Sequence, residues 1–231
     1  MFIELTEILR CPNDHPESYV VATPIVMDGR RIVRGVVGCP ECQAEFPILD
    51  GVVYFGIGER AADPLDEVGG AAPASFPPTA GPLPARPEGS LRAPPAPAPA
   101  YDAAALAAFL NLSGPGGYAV LAGTAGRFGA ALVATVPGVH FVAVNPPPGV
   151  APSAMLSLLR SPRRLPLKSA AVRGVALGAD LATAPWLVEG VRVLLPGLRL
   201  VVEDERAGSE GLTELARGAG LLVGEKRPPP G

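Results

Sequence analysis

Three cysteines and the first of two histidines fall in the opening 42 residues, as Cys11-x3-His15 and Cys39-x2-Cys42. No other cysteine occurs in the 231-residue chain. Thiolate and imidazole groups on two short knuckles are what tetrahedral zinc takes. A proline follows the first ligand of each knuckle, Cys11-Pro12 and Cys39-Pro40, and helps turn the backbone around an ion. Three other readings compete, the first being a degenerated, metal-free version of the same ribbon. Cys39-Pro-Glu-Cys42 has redox-pair spacing, but no strand-to-helix pattern surrounds it. A plain disulfide would leave Cys11 alone and give His15 no task. The fourth ligand is either Asp14, at the tighter spacing, or His15. Imidazole suits zinc among thiolates better than a lone carboxylate does, which favours His15. Four ligands close the coordination sphere, so the metal would be structural.

Elsewhere the chemistry is thinner. Gly123, Gly126 and Gly129 lie in a loop after an apolar run, either to admit a ligand or to permit tight strand-to-helix packing. His140 sits inside an apolar strand and reads as a packed side chain. Trp186, the only tryptophan, follows Pro185 and anchors a helix start. Arg160, Arg163, Arg164 and Lys168 form the one local basic cluster, a solvated loop or an anion contact. No serine–histidine–acid set or paired carboxylates can be assembled.

The elements that position these groups fall into three segments. Residues 1–58 read as a small β ribbon. Leu5, Ile8 and Leu9 share one face of a short helix, strands follow at Tyr19–Ala22 and Ile32–Val37, and Asp28-Gly29 makes the turn. Another turn, Asp50-Gly51, leads into the apolar Val52–Phe55. So small a core needs the metal for stability. Residues 59–100 are rich in proline and alanine and lack apolar periodicity, which predicts a disordered linker whose ends stand on the order of 35 Å apart. Residues 101–231 alternate strand and helix. Strands are expected at 118–123, 139–144, 172–177, 198–202 and 220–224. Helices are expected at 103–112, 124–136, 153–160, 182–195 and 209–217. Strands apolar on both faces between helices predict an α/β fold, a shortened Rossmann-like parallel sheet with helices on both faces.

A net charge of −3 argues against a general nucleic-acid binder. No run of about 18 apolar residues could span a membrane. The acidic N-terminal stretch does not resemble a secretory signal, and metal-type cysteine spacing fits the reducing cytoplasm.

Both halves resemble known families. Leu9-Arg10-Cys11-Pro12, the Cys39-Pro-Glu-Cys42 knuckle and Phe46-Pro-Ile-Leu-Asp-Gly51 resemble the zinc-ribbon activator subunits of tRNA, rRNA and release-factor methyltransferases. His15 stands where that family more often has cysteine. The resemblance implies that Val52–Phe55 is a docking strand for a methyltransferase. Residues 101–231 resemble a class I S-adenosylmethionine-dependent methyltransferase. The similar stretches are Val120–Phe128, the glycine-rich loop, then Leu165–Leu177 and Val191–Val202. The resemblance implies that Gly123, Gly126 and Asn145 would face S-adenosylmethionine. Yet the acids expected there are absent: Val120 or Ala122, Asn145, Ser161 to Arg163, and Val172-Arg173 occupy their places. That removes much of the electrostatic complement to a cationic cofactor.

Two functions follow as expectations. One is a non-catalytic scaffold or activator with a pseudo-methyltransferase domain, its ribbon serving a separate methyltransferase or its own C-terminal domain. The other is an active methyltransferase of unknown acceptor, since transfer to an in-line nucleophile needs mostly positioning.

Overall fold

The structure is a computed structural model that describes residues 1–56, 101–208 and 210–228. The linker expected at 59–100 lies outside the described residues, and the described residues on either side of it belong to one packed unit.

After a 3-10 turn at Ile3–Glu7, the ribbon is a meander of β1 (Val21–Asp28), β2 (Arg31–Gly38), β3 (Glu45–Leu49) and β4 (Val52–Tyr54). Asp50 and Gly51 both take positive φ, 51° and 79°, the geometry of the tight turn between β3 and β4. The second segment supplies β5 (Tyr118–Ala122), β6 (His140–Val144), β7 (Leu156–Arg160), β8 (Val172–Leu177), β9 (Leu194–Val202), β10 (Leu212–Gly218) and β11 (Leu221–Lys226), with helices α1 (Ala103–Phe109), α2 (Gly129–Thr135) and α3 (Ala184–Val193).

These strands form one 11-stranded sheet in the order β1-β2-β3-β4-β7-β6-β5-β8-β9-β11-β10. The run β4-β7-β6-β5-β8-β9 is parallel, and antiparallel pairs flank it on both sides. The fold is therefore α/β with a Rossmann-like parallel centre and a β-rich N-terminal part. Val52 pairs with Leu158, Val53 with Leu159 and Tyr54 with Arg160, so the ribbon's last strand extends the sheet at β7.

Side chains alternate across the parallel strands. Leu121, Phe141 and Leu158 point to the face covered by α1 and α2. Val120, Val142 and Leu159 join the opposite core, which holds Trp186 of α3 and the ribbon's Leu5, Ile32, Ile48 and Val53. Asp102 caps α1, accepting the Ala105 N–H at 2.8 Å. Trp186, beside Pro185 in the first turn of α3, is buried as the sequence predicts.

Two expected helices are strands. Residues 153–160 contain β7, because Leu156, Leu158 and Leu159 are buried on both faces between β6 and β4, where only a strand closes the ladder. Of the helix expected at 209–217, residues 212–217 belong to β10, although Leu, Glu, Ala and Arg favour helix. Ala219 and Gly220 both take positive φ and fold that segment back onto β11, and the cross-strand ladder overrides propensity.

Candidate metal centre and strand-switch crevice

The first knuckle follows Arg10, which bridges to Tyr19, and turns back where the His15 N–H meets the Asn13 carbonyl at 3.0 Å. The second leaves the end of β2 and closes through Gln43, whose φ of 59° aims its N–H at the Cys39 carbonyl, 3.0 Å away. The Cys11, Cys39 and Cys42 thiols and the His15 ring each offer one ligand atom, and all four lie within 4.8 Å of one another. Cys11 Sγ is 3.7 Å from Cys42 Sγ, and Cys39 Sγ is 3.4 Å from His15 Nε2. Zinc at about 2.3 Å from sulfur and 2.0–2.1 Å from nitrogen makes tetrahedral edges of about 3.8 and 3.6 Å. The donor set fits that ion, and it would hold the metal as a closed structural site.

The surroundings support that geometry. His15 Nδ1 is 2.7 Å from the Pro16 carbonyl, which selects the tautomer that leaves Nε2 free for a metal. That carbonyl is also the main reason the His15 pKa is raised. Burial, with the neighbouring Cys39 and Cys42, pushes the Cys11 thiol up to about 12. Burial also opposes ionisation of Cys42, but the Asn13 amide 3.3 Å away and the Ala44 backbone bring it down to about 6. Asp14, the alternative ligand, instead accepts from Arg164.

The second candidate site lies where the strand order reverses. From β5 the chain runs to β6 and β7 on one side and to β8 and β9 on the other, and ligands of such sheets bind in the crevice beyond the strand ends there. The glycine loop enters this crevice as a 3-10 turn, Gly123–Phe128. A Cβ on Gly123 would stand 2.3 Å from Asp180 Oδ1, and Asp180 accepts the Thr124 N–H at 2.7 Å and its hydroxyl at 2.8 Å. Gly126 lets Pro146 approach, a Cβ there falling 2.7 Å from the proline's own. Asn145 turns towards Ser161, giving its amide to the carbonyl at 2.6 Å and taking the N–H at 2.9 Å. Gly123 and Gly126 thus share the crevice wall, while both polar ends of Asn145 engage the backbone after β7.

Four residues that the sequence reading missed complete the crevice. Glu203, buried just past β9, accepts two guanidinium N–H groups of Arg127 at 3.0 and 2.6 Å, the Tyr101 hydroxyl, and weaker contacts from Thr124 and the Ala179 N–H. Arg127 also stacks over Phe128, its guanidinium carbon 4.3 Å from the ring centre. Burial, then the Glu203 carboxylate, raises the Tyr101 pKa, so the phenol stays a donor. The available signal for Asp180 and Glu203 was position: each is an acid shortly after the carboxyl end of a parallel strand.

A polar seam joins the ribbon to α3. Glu17 accepts the Ser169 N–H at 3.0 Å and its hydroxyl at 2.7 Å, and stands 3.5 Å from Arg10 and 3.7 Å from Arg192. Arg192 pairs with Glu189 at 2.8 Å. Leu9 bridges Leu167, and the Lys168 N–H reaches the Ile8 carbonyl at 2.8 Å. The strip from Leu165 to Lys168 is therefore where the ribbon lies. Within the basic cluster, Arg164 meets Asp14, Arg160 donates to the Pro146 carbonyl at 2.8 Å, and Arg163 is exposed. His140 is buried, bonded to Ser157 at 2.9 Å and stacked on Phe2.

No protein-family model matches the sequence, and no curated protein matches it. Solved structures similar to it include a putative methyltransferase of an antibiotic biosynthesis pathway from Anabaena variabilis, 19% identical, covering 45% of each chain with a TM-score of 0.36. A geranyl diphosphate methyltransferase solved with SAM is 13% identical over 54% of this chain and 84% of its own, with a TM-score of 0.41. A SAM-dependent methyltransferase from Aquifex aeolicus is 14% identical over 50% and 85%, with a TM-score of 0.37. This chain therefore spans less than half the length of the first of these. Among the described residues no helix is long and apolar enough to cross a membrane.

Proposed function

We propose that this protein is a zinc-stapled, non-catalytic methyltransferase-like scaffold. Its ribbon, with zinc held by Cys11, His15, Cys39 and Cys42, serves as a tethered activator-like module whose methyltransferase-like partner is its own C-terminal half. The observation that carries the reading is the filled crevice. Glu203 is engaged by Arg127 and Tyr101, Asp180 occupies the space above Gly123, and both ends of Asn145 are engaged by Ser161. The groups that could meet a cationic cofactor are thereby satisfied within the chain. The pairing of β4 with β7 supports service in cis. Reduced thiols holding zinc fit the cytoplasm.

Calorimetric titration of the purified, zinc-loaded protein with S-adenosylmethionine tests the reading. No heat of binding at millimolar ligand is expected. Saturable micromolar binding would refute it and support an active methyltransferase using Gly123, Gly126 and Asn145. Elemental analysis of protein never exposed to chelator should find about one zinc per chain, as four ligands close one site.

A further inference from the structure

The ribbon sheet has two faces, and the described residues cover only one of them. Val37, Phe46 and Ile48 point inward and are buried. The register sets the outer face in three rows: Val21–Gly38–Glu45, a middle row centred on Val36, and Val26–Arg34, which continues to Leu49. Val21 and Val26 of β1 and Leu49 of β3 are 52%, 44% and 41% exposed, and Ile25, in the bulge of β1, is exposed beside them. The β1 edge is ill suited to strand addition. Pro24 brings no N–H, and the register shift between Pro24 and Val26 bulges the strand. Side chains of the face, rather than backbone of the edge, are what a partner could use.

We propose that this outer face is the contact between two copies of this chain. A two-fold axis lying in the contact plane and crossing the strands at Val36 maps the first row of one copy onto the last row of the other. Val21 then meets Val26, and Val36 meets itself. Arg34 comes over Gly38, where an added Cβ would meet nothing closer than the Val21 carbonyl at 4.0 Å, so the space above it is open. In that place the guanidinium lies one strand away, about 4.8 Å, from Glu45 of the second copy. Neither Arg34 nor Glu45 has an ion-pair partner among the described residues. One cation and one anion placed to meet across a two-fold axis make the face complementary to itself, as an isologous interface requires. The three rows span roughly 10 by 14 Å between Cα atoms, well short of the ~800 Å² per partner of a standard interface. The dimer is accordingly weak and concentration-dependent.

Sedimentation equilibrium of the full, zinc-loaded chain reads the association constant. Arg34→Glu and Glu45→Arg are each expected to weaken association about tenfold or more, by setting like charges opposite each other. The double variant is expected to restore it to within about threefold of the original. Val36→Lys, checked for unchanged zinc content and circular dichroism, is expected to abolish it. A chain that stays monomeric up to about millimolar concentration overturns the proposal. So does a dimer unmoved by Val36→Lys, or charge reversals that the double variant does not rescue.

Discussion

Replacing Gly123 with alanine tests whether that glycine makes room for the protein's own Asp180. Two costs add. The backbone there has φ of 62°, where alanine costs about 1 kcal/mol more than glycine. The new Cβ would lie 2.3 Å from Asp180 Oδ1, so the carboxylate must swing away and release the Thr124 N–H and hydroxyl. Asp180 is exposed, so those two bonds together are worth about 1–2 kcal/mol. Gly123→Ala should therefore destabilise the fold by about 2–3 kcal/mol in urea denaturation at unchanged m-value. In an Asp180→Ala background only the backbone term, about 1 kcal/mol, should remain. A double-mutant cycle would then show about 1–2 kcal/mol of coupling. If Gly123→Ala costs the same in both backgrounds, the reasoning fails, and the space above Gly123 belongs to something other than Asp180.

Three further outcomes follow from the same geometry. His15→Ala should lower zinc content by elemental analysis, whereas Asp14→Ala should leave it unchanged, because Asp14 faces Arg164. Burial and the nearby chain-terminal amine lower the His140 pKa from 6.5 to about 4. Its neutral form thus contributes stability that is full above pH 6.5 and lost as pH falls towards 4. That term amounts to no more than about 3 kcal/mol. The stability difference between the protein and His140→Phe, measured by denaturation across that window, should shift in this direction, and a flat difference would count against it. Leu9→Ala should cost about 2–5 kcal/mol. Because Leu9 bridges Leu167, it should also speed amide exchange at Arg10 and Lys168, which bond across the same seam.

The metal cluster was legible because its chemistry is local. Cysteine and histidine are few here, their spacing is short, and each knuckle carries its own turn-forming proline. The parallel strands were legible from continuous apolar runs such as Val139–Val144. The two helix assignments that became strands involve short segments, where periodicity cannot separate the two states. For β7 the deciding partner is β4, more than 100 positions earlier in the chain. For β10 it is the ladder with β11, which outweighs local helix propensity.

The α/β pattern and the four candidate metal ligands can be read along the chain, but the two acids that stand beside the glycine loop, Asp180 and Glu203, carry no local pattern that links them to it. Which acids fill the crevice depends on how the strands assemble. Asp180 and Glu203 are distant from Gly123 and Arg127 in the chain, and strand order alone brings them to one sheet end. The tertiary structure also decided that the ribbon's last strand joins the chain's own sheet at β7. Ligand spacing is written in consecutive residues, whereas strand order and register arise from the competition of all strands for neighbours.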